Sequence, residues 1–194
     1  MLRRTFTVAL VAAVAGCGSR GEFSSPRNLD NACALARERP EYMRAMRRAE
    51  RRWSVPVHVQ MATIHQESAF DGDIRPPFRF ALGVIPMGRQ SSAVGYSQAL
   101  DGTWEEYQQE TGNRRARRTD IDDATDFMGW YMNLTRERNG IALHDTRNQY
   151  LAYHEGHTGY ARGSYNSKPW LLDVADRVEA RGELYRQQLV TCSR

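Results

Sequence analysis

Apolar residues recur in this chain at the three- and four-residue spacing of an α-helix. Between Pro40 and Trp53 the stripe consists of Tyr42, Met46 and Ala49, with arginine and glutamate between them. Such spacing places the apolar side chains on one helical face. Comparable patterns follow over residues 57–67, 101–112, 120–139, 145–153 and 167–189. We therefore predict an all-α fold with at most a small β-hairpin inside residues 74–96.

Residues 70–94 break this periodicity. Pro76, Pro77 and Pro86 interrupt the segment, together with several glycines, although Phe78 and Phe80 keep it partly apolar. A long loop with apolar residues in a compact domain more often has a functional or packing role than no role. We expect the segment to pack near a functional site.

The composition is that of one globular domain. The chain has 194 residues, of which 41% are hydrophobic and 26% charged, with a formal net charge of +4. Most basic residues are arginines scattered among acids, and only residues 114–118 form a basic cluster. A solvated loop explains that cluster, and an anionic wall polymer or membrane surface is the alternative. Nucleic acid is not expected as a partner, and we expect a monomer.

The N-terminus has the pattern of an export signal. Arg3 and Arg4 precede an apolar stretch over Thr5–Ala15, which is too short to span a bilayer as a helix. Residues 14–17 (Val-Ala-Gly-Cys) resemble a bacterial lipobox, which implies a signal peptide over 1–16 and a diacylated Cys17. Two acyl chains give stable anchoring. Plain cleavage beside an incidental cysteine is the alternative.

Residues 17–31 are rich in Gly, Ser, Pro and Asn and are predicted to form a tether ahead of a domain over 32–194. Cys33 and Cys192 lie near the two ends of that domain. In an oxidising compartment the pair predicts a disulfide that stabilises the fold by about 4–5 kcal/mol. Two unrelated buried thiols are the alternative.

Three short segments carry the functional signal. Residues 64–70 (Ile-His-Gln-Glu-Ser-Ala-Phe) place Glu67 before a serine at the end of an apolar helix. This segment resembles the catalytic motif of the lysozyme-like soluble lytic transglycosylases (SLT domains). Residues 95–98 (Gly-Tyr-Ser-Gln) resemble the Gly-Leu-Met-Gln motif of that family, and residues 152–156 (Ala-Tyr-His-Glu-Gly) resemble its Ala-Tyr-Asn-Ala-Gly motif. The three occur in the family's order over residues 60–160.

The resemblance implies a single lysozyme-like domain that cleaves peptidoglycan glycan strands without a cofactor. It implies that Glu67 acts as acid and then as base, so that a 1,6-anhydro ring forms on N-acetylmuramic acid. The implied substrate contacts are Gln98 and Tyr153. Ser68, Ser97, Tyr96 and Glu155 are further candidates: Tyr96 could stack on a sugar face, and packing in the core is its alternative. Tyr153 would point its hydroxyl at the catalytic carboxyl. Gly18 after the lipobox cysteine implies anchoring in the periplasm at the outer membrane.

A physical argument for Glu67 stands beside the resemblance. A general acid works best when burial has raised its pKa, and Glu67 lies just beyond an apolar helical face, with Ala69 and Phe70 shortly after it. Most glycosidases use two carboxylates, for which Asp71, Asp73 and Glu155 are the candidates. Asp71 and Asp73 fit a solvated turn, whereas Glu155 lies in a segment predicted to line the cleft.

Other classes of enzyme fit the pattern less well. His154 and His157 are one residue short of the His-Glu-x-x-His spacing of zinc proteases, so no metal site is predicted. Ser68 and Ser97 lie in no Gly-x-Ser-x-Gly turn, which disfavours a serine nucleophile. The alternatives left open are a hydrolytic lysozyme- or chitinase-like enzyme and a peptidoglycan-binding lipoprotein without activity.

Overall fold

The computed structural model describes residues 24–81 and 85–192. The predicted signal peptide, Cys17 and the first part of the predicted tether lie outside these residues. Within them, the α-helices are α1 (Ala32–Glu38), α2 (Pro40–Trp53), α3 (Val57–Ser68), α4 (Asp101–Thr111), α5 (Ile121–Asn139), α6 (Thr146–Ala161) and α7 (Pro169–Cys192). None of these helices is long and apolar enough to cross a membrane.

The β structure is one antiparallel hairpin of β1 (Phe78–Ala81) and β2 (Ile85–Arg89). Phe78 pairs with Arg89, whose guanidinium lies 4.4 Å from the centre of the Phe78 ring. The mostly helical prediction and its small hairpin are therefore confirmed.

Local sequence explains where the helices begin and end. Pro40 occupies the first turn of α2, where its missing N–H is not needed. The side chain of Asp120 accepts hydrogen bonds from the backbone N–H groups of Asp122 and Asp123 and so caps α5. Gly140, in the left-handed conformation, ends α5 as the sequence predicted.

The helices enclose two apolar clusters. α2 packs along α5, and α3 and α6 both pack on α7. The main cluster combines aliphatic side chains, several methionines and some aromatic rings, and it includes the fully buried side chains of Met46, Met61, Ile64, Met128 and Leu151. The second cluster is aromatic and consists largely of Trp104, Tyr107, Phe127, Trp130 and Tyr131. The aromatic cluster lies behind the candidate site described below.

The disulfide predicted from the sequence joins the two ends of the domain. Cys33 in α1 is bonded to Cys192 at the end of α7, with 5.4 Å between their Cα atoms. The last residues of the predicted tether are also held here, since the Asp30 carbonyl accepts a hydrogen bond from Gln188 at 3.0 Å. Residues just before α1 therefore contact α7.

Helix α6 departs from the sequence prediction. The apolar pattern predicts a helix only over residues 145–153, but helical turns continue to Ala161. Gly156 interrupts them with φ 74° and ψ 157°, a conformation nearly restricted to glycine. The helix axis therefore changes direction just after Glu155.

Candidate active site

Glu67 lies in the last turn of α3, where the backbone is strained. Ala69 and Phe70, the two residues after the helix, both have positive φ, at 50° and 61°. Each such non-glycine residue costs about 1–3 kcal/mol and is found mainly at functional sites. The Phe70 side chain is fully buried and stacks on Tyr42 with 5.8 Å between the ring centres, which offsets this strain.

The carboxyl group of Glu67 is poorly solvated. The residue keeps a partial opening to solvent, but protein atoms surround the carboxyl, and this burial raises its pKa to about 8. Within residues 24–81 and 85–192, no hydrogen bond or ion pair involves this carboxyl. Glu67 is therefore largely protonated at neutral pH and has a proton to donate.

The second segment, residues 95–98, is fastened to the end of α3. The Ser68 hydroxyl donates a hydrogen bond to the Tyr96 carbonyl oxygen at 2.9 Å. Gly95 has φ 75°, and a Cβ atom there would lie 2.1 Å from the Arg118 carbonyl oxygen. Only glycine fits this turn, both in conformation and in space.

Tyr153 of α6 joins the third segment to the other two. Its hydroxyl donates a hydrogen bond to the Ser97 carbonyl oxygen at 2.6 Å. Burial raises the pKa of Tyr153 well above its usual value, and the negative charge of Glu67 adds to this effect. The hydroxyl was predicted to point at the Glu67 carboxyl. It is instead hydrogen-bonded to the Ser97 carbonyl, with Glu67 close enough to act on it electrostatically.

Gln98 has the geometry of a substrate contact. Its backbone has φ 48°, and its Nε2 donates to the Gly95 carbonyl at 2.8 Å and to the Ile74 carbonyl at 3.2 Å. These two bonds fix the side-chain amide. Among the residues that the structure describes, no donor reaches its Oε1, which leaves an acceptor for a sugar hydroxyl or N-acetyl N–H.

A cavity of about 210 Å³ opens beside these residues. Its lining consists of Gln98, Ala99, Leu100, Thr103, Phe127, Tyr131, Tyr153, His154, Glu155 and Gly156. A cavity of about 350 Å³ lies between α3 and α7, but its walls include none of the residues from the second and third segments. We assign the smaller cavity to the site because it collects the polar groups.

Three of the predicted substrate contacts are instead buried. Tyr96 is 2% exposed, and its hydroxyl shares a hydrogen bond of 3.0 Å with that of Tyr42. Ser68 is bonded to backbone carbonyls, and the Ser97 side chain is fully buried. These three side chains therefore support the site structurally, and none of them lines the cavity.

Glu155 has a setting unlike that of a free second carboxylate. Its side chain is 4% exposed, and it accepts hydrogen bonds from Lys168 Nζ at 2.7 Å, His154 Nδ1 at 3.0 Å and the Ser164 hydroxyl. Burial opposes its ionisation, but the bonds from Lys168, Ser164 and His154 outweigh burial and lower the pKa to about 2. The carboxylate is ionised at neutral pH and already accepts hydrogen bonds from three protein donors.

Sequence reasoning did not anticipate the partners of Glu155. Lys168 is the only lysine in the chain, and that rarity was the one available signal. His157, whose spacing from His154 predicts no metal site, stacks on Tyr131 with 4.3 Å between ring centres and bonds to Thr135. In residues 24–81 and 85–192, no group of three or more His, Cys, Asp or Glu side chains is placed to hold a metal ion.

Glu67 is not among the residues that line the cavity assigned to the site, but it acts electrostatically on Tyr153, which is. A mostly helical domain with a protonated carboxyl this close to a cavity fits a lysozyme-like class of enzyme. Residues 5–192 match the sequence profile of a family described as Transglycosylase SLT domain. The chain belongs to this family. The family as a whole implies transglycosylase-type action on the glycosidic bonds of peptidoglycan. A search of curated proteins found no match.

Proposed function

We propose that this protein is a lytic transglycosylase that cleaves the β-1,4 bond between N-acetylmuramic acid and N-acetylglucosamine. The observation that carries the proposal is the Glu67 carboxyl, whose pKa is raised to about 8 by burial. An acid of this kind holds its proton at neutral pH and can transfer it to a leaving oxygen.

One carboxyl group suffices for the reaction. The Glu67 carboxyl donates its proton to the glycosidic oxygen as the bond from that oxygen to the anomeric carbon breaks. The resulting carboxylate then takes the proton of the C6 hydroxyl, whose oxygen attacks the anomeric carbon and closes the 1,6-anhydro ring. No water is consumed, and Glu67 ends protonated for the next turnover.

The environment of the other carboxylates supports this route over hydrolysis. A hydrolytic enzyme commonly needs a second, free carboxylate to activate water or to attack the sugar. Glu155 is occupied by Lys168, Ser164 and His154. Asp71 accepts a hydrogen bond from the Asp73 backbone N–H at 2.9 Å within a turn. A hydrolytic enzyme and an inactive peptidoglycan-binding protein remain the competing proposals.

The site of action belongs to the same proposal. The lipobox ending at Cys17 supports a lipid-anchored protein facing the periplasm from the outer membrane, acting as a monomer on peptidoglycan strands. Metabolic labelling with a radioactive fatty acid should label the wild-type chain and leave Cys17→Ala unlabelled. A labelled Cys17→Ala chain would contradict the anchor.

The mass of the released muropeptides tests the reaction. Purified peptidoglycan sacculi are incubated with the protein, and the soluble products are weighed by mass spectrometry. The proposal predicts products with 1,6-anhydro ends, which are lighter by one water than hydrolytic products. Products with ordinary reducing ends would indicate a lysozyme-like hydrolase, and binding without released products would indicate an inactive binder.

A further inference from the structure

Trp170 is a large aromatic residue left open to solvent beside the cleft. It is the second residue of α7, after Pro169, and 55% of its surface is exposed. Single exposed apolar residues are common on protein surfaces. An exposed tryptophan, however, leaves much more apolar surface in contact with water than a small aliphatic side chain does. This exposed surface lies next to the candidate site and is open to a ligand.

His154 connects Trp170 to the cavity. The two rings meet edge to face, with 5.4 Å between their centres and 77° between their planes. His154 itself lines the cavity together with Gln98 and Tyr153. Trp170 is thus in contact with a residue of the cavity wall.

The orientation of His154 is fixed by Glu155. Because the Glu155 carboxylate is ionised and only accepts hydrogen bonds, His154 Nδ1 carries the proton in their 3.0 Å contact. Within the part of the chain that the structure describes, Nε2 of His154 has no hydrogen-bond partner. That nitrogen is available to a ligand hydroxyl.

The backbone that carries Trp170 is held against α6. Lys168, two residues before Trp170, bonds to Glu155 at 2.7 Å, and Ser164 bonds to the same carboxylate. Aromatic and polar groups held in place before binding give affinity because little freedom is lost when the ligand arrives. The hydrogen bonds of the buried Glu155 carboxylate thereby support an exposed ring and an imidazole nitrogen.

We propose that Trp170 and His154 form an outer saccharide subsite of the cleft. The indole packs on the apolar face of one pyranose ring, and His154 Nε2 exchanges a hydrogen bond with a hydroxyl of that sugar. The ligand is a β-1,4-linked N-acetylhexosamine strand running out of the cavity. This inference rests on the proposed function for the identity of the glycan.

Binding to peptidoglycan sacculi tests the subsite in a chain that carries Glu67→Gln, so that bound strands are not cleaved. Co-sedimentation gives the sacculus concentration at half-saturation. Adding Trp170→Ala should raise that concentration roughly tenfold, as for other aromatic anchors. His154→Ala should raise it several-fold, and Trp170→Phe should recover most of the loss. Leu184→Ala changes a 38% exposed residue further along α7 and should leave binding unchanged.

A peptide-free competitor identifies the ligand as sugar. The β-1,4-linked tetramer of N-acetylglucosamine should displace the parent chain from sacculi and should be roughly tenfold less effective against Trp170→Ala. Unchanged binding by Trp170→Ala, no binding by the parent, or no displacement by the tetramer would overturn the subsite. Failure of the proposed reaction would look different, because hydrolytic products would appear while these binding differences persisted.

Discussion

The Tyr153 hydroxyl donates a hydrogen bond of 2.6 Å to the Ser97 carbonyl oxygen, across 56 residues of sequence. Together with the bond from Ser68 to the Tyr96 carbonyl, it ties the end of α3, the turn at residues 95–98 and helix α6 into one site. The strained Phe70 stacks on Tyr42, whose hydroxyl is hydrogen-bonded to that of Tyr96 in the same turn. The position of Glu67 therefore depends on contacts that no local segment provides.

Tyr153→Phe removes this hydroxyl and keeps the ring. We expect a loss of about 1 kcal/mol in the free energy of unfolding and roughly a tenfold lower rate of muropeptide release, because the Ser97 carbonyl loses its donor. Urea unfolding and turnover on sacculi measure the two effects. Tyr160→Phe is the control, since it breaks a 3.0 Å bond to Asn148 on the same helix and should lower stability only. Equal rates for both variants would contradict a role for Tyr153 in the site.

Glu67→Gln should change how stability depends on pH. The folded-state pKa of about 8 is raised above the ordinary 4.5, so the folded protein binds more protons than the unfolded chain between these values. Stability contributed by the protonated carboxyl is full below pH 4.5 and is lost as pH rises through about 8. The glutamine variant lacks this loss. Its free energy of unfolding at pH 9 should therefore exceed that of wild type by about 2 kcal/mol, a figure reduced to allow for the partial exposure of Glu67.

Urea unfolding at pH 4, 6.5 and 9 checks this expectation. The difference between Glu67→Gln and wild type should be small at pH 4 and should grow toward pH 9. A difference that is constant across the three pH values would mean that Glu67 has an ordinary pKa.

Gly95→Ala tests the turn that carries Gln98. The new Cβ atom would lie 2.1 Å from the Arg118 carbonyl oxygen, and the alanine would have to adopt φ 75°. We therefore expect the free energy of unfolding to fall by about 3 kcal/mol or more, and activity to be lost as well. Gly112→Ala is a matched control, because its φ is 73° and nothing lies within 4 Å of the added atom. That variant should lose about 1 kcal/mol. Similar losses for both would show that backbone conformation alone matters at Gly95.

Glu155→Gln separates a structural from a catalytic role. The substitution removes the buried negative charge that pairs with Lys168. We therefore expect the free energy of unfolding to fall by about 1–2 kcal/mol at pH 7, while turnover falls less than threefold. The lowered pKa of about 2 means that this stabilisation is present above pH 4.5 and is lost as pH falls toward 2. Urea unfolding at pH 7 and pH 3 should therefore show a smaller difference from wild type at pH 3. Abolished turnover at nearly unchanged stability would make Glu155 a second catalytic carboxylate.

Local patterns in the sequence predict much of this fold. The bounds of α2 follow from apolar spacing and from Pro40, and Asp120 and Gly140 mark the ends of α5, because these signals act within one or two helical turns. The end of α6 was missed. Glycines there suggested a loop, whereas the chain uses Gly156 as a single non-helical residue and then resumes helical turns.

The site was predicted in outline but not in its contacts. The three segments around Glu67 meet as their order suggested. Whether Tyr96 faces a sugar or the core could not be read from residues 95–98, because an irregular turn has no periodicity that assigns its faces. The pairing of Glu155 with Lys168 was also beyond local patterns, since it depends on how the chain returns from α6 to α7.

The initial rate at which sacculi release anhydro-muropeptides tests the central claim, that Glu67 is the acid and base of the reaction. The rate is measured by mass spectrometry for wild type, Glu67→Gln and Glu155→Gln at equal concentrations of folded protein. We predict that Glu67→Gln lowers it by about 1,000-fold or more, as expected for a lost general acid that is also the base, while Glu155→Gln retains at least a third of the wild-type rate. Release by Glu67→Gln at a rate close to that of wild type would contradict the account.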